Sequence, residues 1–190
     1  MSTNTNPTGI RLAQSAGIFL SASLSGASVA ISAFVIPRLL ESPVPLMLRQ
    51  WFNSFKAGRA FMPGFAVLAA ANYFYLAAAI PRKFGGGAGL TGRAYAYLAA
   101  GVLSVGIIPY TYAVMMPTNK RLVARVEGVE SVEADIGLVA EEGEAARVAE
   151  ESAWVKGEGS KYLVDRWATL NLGRAIMVAA SAVLGIGASV

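Results

Sequence analysis

The sequence predicts an all-α membrane protein: a four-transmembrane-helix bundle with an interfacial amphipathic helix and an acidic extramembrane loop. Two observations lead there. Hydrophobic residues make up 55% of the chain, only 15% are charged, and mean hydropathy is +0.50, whereas soluble domains carry about 25% charged residues. The apolar residues also fall in uncharged runs long enough to cross a bilayer.

A polar tail, 1–14, precedes a single membrane domain, 15–190. The first span is expected from Ser15 to Ile36 and is closed by Pro37-Arg38. Arg11 ahead of it would also suit a signal peptide, but the apolar run is longer than a signal's core and no clean cleavage site follows. Next, Val44, Met47, Leu48, Trp51, Phe52 and Phe55 follow helical spacing, with Arg49, Gln50, Asn53 and Lys56 opposite. That pattern predicts a short amphipathic helix in the interface, either anchoring the loop or forming the mouth of a pocket. The second span, Ala60 to Ile80, ends at Pro81-Arg82-Lys83, and a glycine-rich turn from Phe84 to Gly92 leads into the third, Ala94 to Met116. Pro109 should kink that span, a distortion that neighbouring helices accommodate. The fourth starts near Trp167 and runs to the C-terminus. The motif 85-GGGAG-89 lacks the Lys-Ser/Thr of a phosphate loop and is read as a turn.

Charge is divided unevenly. Between Val126 and Gly159 lie ten acidic residues and two basic ones, Arg147 and Lys156. This stretch defines a loop insertion, 126–160, expected to be a solvated helical hairpin or partly disordered. Outside it the Lys and Arg flank the spans, as expected for contact with anionic headgroups, so the bilayer and not nucleic acid is the expected partner. The loops after spans one and three carry more of these cations, which places the acidic loop in the cytoplasm.

The chain contains no histidine and no cysteine. Histidine-ligated haem, two-histidine iron sites, thiolate metal sites, iron–sulfur clusters and cysteine nucleophiles are therefore excluded. Attention turns to polar groups within the spans, which are costly there. Trp167, Asn171 and Arg174 fall at i, i+4 and i+7, and their stripe continues through Val178, Ser181 and Gly185. An aromatic, an amide and a guanidinium on one face would line a pocket for a flat, oxygen-rich molecule. Alternatively, Arg174 snorkels to the headgroups and Asn171 bonds a neighbouring backbone carbonyl. Ser21, Ser25, Ser28 and Ser32, with Gly17, mark a face of span one suited to tight packing or to a wall of hydroxyls. Asn72 in span two, Asn119 at the end of span three and Arg59 before span two complete the candidates, Arg59 also being suited to a headgroup contact.

Three segments, 25-SGASVAISAFVIPRLL-40, 115-MMPTNKRL-122 and 165-DRWATLNLGRA-175, together resemble the fungal anthrone oxygenases and their small four-helix relatives. The resemblance implies oxidation of an aromatic polyketide anthrone to an anthraquinone, with O2 as co-substrate and no metal or flavin cofactor. It also implies catalytic roles for Arg174 and Asn171, and substrate contacts for Trp167 and Asn119; Arg59 and Asn72 are expected substrate contacts from their positions in the chain alone. Residence in the endoplasmic reticulum or a derived vesicle follows from the same resemblance. The general base stays open between Asp165, a tyrosinate and solvent hydroxide. A homo-oligomer or a pathway-enzyme partner is compatible with the chain, as is a non-catalytic scaffold or carrier for hydrophobic metabolites.

Overall fold

The computed structural model describes residues 7–79, 91–136, 149–150, 152–153 and 156–190. Helix α1, Pro7–Ala30, leads through a π-helical turn, Ile31–Val35, into α2, Ile36–Leu40. Helix α3 is Val44–Ala79; α4, Gly92–Tyr110, leads through a second π-turn, Thr111–Met115, into α5, Met116–Ile136; α6 is Ser160–Ser189. Taken across their π-turns, these form four helices long and apolar enough to cross a membrane.

Several expected boundaries move outward. The first helix begins at Pro7, a residue whose fixed φ and missing N–H suit the first helical position. The amphipathic segment from Val44 and the second span are one uninterrupted 36-residue helix that passes through Pro63. At 1.5 Å per residue it is about 54 Å long, well beyond the ~30 Å hydrocarbon core. Pro117-Thr118-Asn119 does not end the third span, since α5 continues to Ile136. The turn at 84–90 and part of the acidic insertion (137–148, 151 and 154–155) lie outside the described residues, as does the tail at 1–6.

The two π-turns share a cause. Pro37 and Pro117 each follow a π-turn by two residues, and the residue four before each, Ala33 and Ala113, is the middle of that turn. A proline inside a helix clashes with the carbonyl four residues back and cannot bond it. Widening the preceding turn to i→i+5 bonding moves that carbonyl aside and lets the helix continue. Pro109, where a kink is expected, lies inside α4 two residues before the second π-turn begins.

The chain divides into two compact units. Unit 1 comprises Met1–Ala27, Phe61–Tyr110 and Arg174–Val190; unit 2 comprises Ser28–Ala60 and Thr111–Gly173. Unit 1 has an apolar core of Ala13, Tyr73, Leu76, Ala77, Tyr97, Ala100 and Ala188, with a second cluster of Leu24, Ala66, Ile107 and Val178. The small residues let helices approach closely, and the tyrosines fill the space left. Tyr73 is wedged between glycines: a Cβ at Gly17 would lie 3.1 Å from its ring, and one at Gly185 only 2.6 Å. In unit 2 the large fully buried side chains include Ile36, Met47, Leu48, Trp51, Met115, Leu122, Val126 and Val164.

Unit 1 also carries a buried hydroxyl layer. The Ser104 and Ser181 hydroxyls are 2.7 Å apart, and Ser181 donates to the Ala100 carbonyl at 2.8 Å. Ser21 lies 3.5 Å from both serines, donates to the Gly17 carbonyl at 2.8 Å, and reaches the Tyr73 hydroxyl at 3.3 Å. One hydroxyl thus comes from each of α1, α3, α4 and α6, and the carbonyls of Gly17 and Ala100 close the network. Ser25 donates to the Ala175 carbonyl at 3.0 Å. The serine face of α1 is packing, stapled by hydrogen bonds that have no competition from water in a bilayer.

Candidate active site

The polar and aromatic groups of unit 2 gather around the first half of α6. Glu158 and Gly159 amides donate to the Ala153 carbonyl, and Gly157, at φ +71°, supplies the left-handed step before the helix begins. The Glu150 carboxylate accepts from the Lys161 amide at 2.8 Å, satisfying a helix N-terminal donor where negative charge is favoured. Arg125 on α5 donates to the Ser160 hydroxyl at 2.7 Å and also to the Glu158 carbonyl. These contacts fix the start of α6 and with it the positions of Trp167 and Asn171.

Trp167 is buried, and its indole N–H donates to Asn119 Oδ1 at 2.9 Å. Asn119, on α5 two residues past Pro117, is buried as well. One turn further along α6, Asn171 is fully buried and donates to the Ser28 carbonyl at 3.0 Å and the Ser32 hydroxyl at 2.8 Å. Ser32 in turn donates to the Ala168 carbonyl at 3.0 Å. Ser32 lies in the first π-turn and Asn119 lies one helical turn past the second, so the irregular backbone and the polar cluster are close in sequence.

Aromatic rings complete the cluster. Trp51 on α3 meets Trp167 edge to face, with centroids 5.9 Å apart and planes at 89°, and stacks on Phe55 at 5.1 Å and 12°. Phe52 stacks on Phe55 at 6.5 Å, and the Lys56 ammonium sits 4.7 Å from the centre of the Phe52 ring. Rings fixed in offset and edge-on contacts form a rigid aromatic surface. Trp51 was not among the sequence candidates, because its place on an apolar helical face accounted for it fully. The available signal was chemical: a tryptophan put on a buried face brings an N–H that needs an acceptor.

The remaining candidates separate. Arg174 belongs to unit 1, is half-buried, and directs its guanidinium to the Met62 sulfur at 3.7 Å. The α6 stripe is otherwise inward-facing, since Trp167, Asn171, Val178, Ser181 and Gly185 are all buried. Asn72, also in unit 1, folds back to donate to the Leu68 carbonyl of its own helix at 2.8 Å. Arg59 lies exposed on α3. The structure therefore joins Trp167 to Asn119, gives Asn171 to the serines of the first helix, and leaves Arg59 and Asn72 outside this cluster. Among the described residues, no group of three or more acidic side chains could hold a metal ion.

Four membrane-length helices with a buried amide–indole pair define a small membrane protein with a polar site built on helices. Residues 51–184 match the anthrone oxygenase family, and the chain belongs to that family, which makes it an enzyme of the oxidoreductase class. It is 29% identical to an anthrone oxygenase of Aspergillus novofumigatus over 87% of this chain and 85% of that protein. It is 30% identical to an anthrone oxygenase of Claviceps purpurea over 94% and 87%, and 29% identical to a noranthrone monooxygenase of Aspergillus flavus over 86% and 66%. No solved structure matches.

Proposed function

We propose that the chain oxidises an anthrone to the corresponding anthraquinone with O2, using neither metal nor flavin, in the endoplasmic reticulum membrane or a vesicle derived from it. The observation that carries this reading is the family match across residues 51–184, which includes Trp51, Asn119, Trp167, Asn171 and Arg174. Ground-state O2 generally needs a cofactor to accept electrons one at a time. An anthrone can take that part itself. Loss of a proton from its central CH2 gives an electron-rich aromatic enolate, which passes one electron to O2. The radical pair combines into a C–O bond, a proton completes the hydroperoxide, and loss of water leaves the new carbonyl. One oxygen atom ends in the quinone and the other in water.

The protein's task is then to favour the enolate and exclude solvent. Arg174 is assigned the developing oxyanion, because a guanidinium in an apolar segment stabilises negative charge more than it could in water. The Trp167 ring, held by Asn119, offers an aromatic face for flat substrates. Asn171, whose amide N–H groups are engaged by Ser28 and Ser32, is assigned to holding α6 in place.

Oxygen uptake and quinone absorbance, measured on chelator-treated and flavin-free protein with emodin anthrone, test the reading. The wild type should exceed spontaneous autoxidation by orders of magnitude, and Arg174→Ala should lose about 10²-fold or more in kcat while remaining folded. A wild-type rate equal to the protein-free control would overturn the assignment and favour a carrier of hydrophobic metabolites. Activity restored only by an added metal would overturn the cofactor-free mechanism alone.

A further inference from the structure

We propose that the Trp51 indole N–H is a hydrogen-bond donor to bound ligand, and that this ligand is a flat polycyclic aromatic carrying oxygen on its rings. The inference rests on the functional reading above and adds a binding residue to it.

Trp51 has no exposed surface, and its Nε1 is buried without a hydrogen-bond partner among the described residues. The other indole of the cluster makes a contrast on the same chemistry, since Trp167 Nε1 has Asn119 Oδ1 at 2.9 Å. An orphaned buried N–H is rare because the group gives up its bond to water and gains nothing in return. A phenylalanine would fill an apolar site without that penalty. The donor is accounted for if its acceptor arrives with a ligand.

The surroundings restrict what that ligand can be. The ring partners of Trp51 are Phe55, stacked at 5.1 Å, and Trp167, edge-on at 5.9 Å. A bridging water needs two to four polar partners, and neither ring provides a strong one. A lipid tail brings no acceptor. A flat aromatic system can lie against such rings while one of its ring oxygens accepts from the indole, so both kinds of contact are made at once.

The test uses the full chain in detergent micelles and equilibrium dialysis with two probes. One is 1,8-dihydroxyanthraquinone, which has ring oxygens; the other is anthracene, which has none. Trp51→Phe should raise the Kd for the quinone roughly fivefold, the loss expected of one hydrogen bond. Anthracene affinity and the melting temperature should not fall. If that variant folds poorly, benzothienylalanine in place of Trp51 keeps the bicyclic shape and replaces the N–H by sulfur, and the same selective loss is expected. Equal weakening of both probes would reduce Trp51 to a packing residue and overturn the inference, as would unchanged quinone binding in either variant. Anthrone oxidation measured on the same wild-type preparation separates the two ideas. Turnover with N–H-independent binding defeats only the Trp51 inference. N–H-dependent quinone binding without turnover defeats only the reaction.

Discussion

The two units bury polar groups in different ways. In unit 1 the hydroxyls of Ser21, Tyr73, Ser104 and Ser181 bond one another and end on backbone carbonyls of regular helices. In unit 2 the buried polar groups include Ser32 in a π-turn and Asn119 one turn past another, an indole leans on an amide, and a second indole N–H is unpaired among the described residues. A closed network of small hydroxyls fixes helix positions and leaves nothing for a ligand. Distorted backbone with an unmet donor is the kind of local cost that a protein keeps where it does chemistry or binding. Under the proposed function, the contrast suggests a mainly packing role for the serine layer of unit 1 and a ring-recognition role for the aromatic cluster of unit 2, with Arg174 the unit 1 residue assigned to the chemistry.

The largest effect on stability should come from unit 1. Gly185→Ala puts a methyl group 2.6 Å from the Tyr73 ring, which has no exposed surface into which to move. Overpacking of this kind should cost about 3 kcal/mol, read as a lowered thermal or denaturant midpoint in detergent. Gly17→Ala, at 3.1 Å from the same ring, should cost clearly less. Equal effects would mean that the ring is free to shift. Next in size, Asn119→Leu leaves the Trp167 N–H buried without its acceptor and should cost about 2 kcal/mol. It should also lower kcat/KM for anthrone oxidation, whereas the glycine variants should keep kcat/KM at temperatures where they are folded. Full activity in Asn119→Leu, combined with lost activity in the glycine variants, would reverse the roles given to the units. The smallest effect is expected from Ser104→Ala. Hydrogen bonds between membrane helices average about 0.6 kcal/mol, so the Ser104–Ser181 coupling measured by a double-mutant cycle should be of that order, with catalysis unchanged.

Much of this organisation is legible in the amino-acid sequence. Hydropathy alone separates the four helices, and the 3.6-residue period places Trp167, Asn171, Val178, Ser181 and Gly185 on one inward face, as observed. The serine face of α1 is legible for the same reason. Element ends were less so. Pro37 and Pro117 read as terminators because proline breaks a regular helix, and nothing local reveals that a π-turn will absorb the clash. The joining of the Val44 segment to the second span was hidden similarly, since Pro63 and the polar residues Ser54, Lys56 and Arg59 resemble a break. Partners are harder to read than faces. A stripe says that Trp167 and Arg174 point to the same side of α6, but not that one finds an amide on α5 and the other a methionine on α3.

A π-turn holds one residue more than the α-helical turn it replaces, and this changes how the chain should be counted. Downstream of Val35 and of Met115, every side chain is advanced by one position, roughly 100° of rotation. Across the first π-turn the buried positions Ser28, Ser32 and Ile36 step by four twice in succession. Removing one residue from 31–35 or 111–115 should therefore let a regular α-turn replace the π-turn while the downstream side chains keep their present faces. For relatives of this protein, those two five-residue windows are the places where a one-residue gap should be expected, and where aligning straight through would pair residues that face different ways.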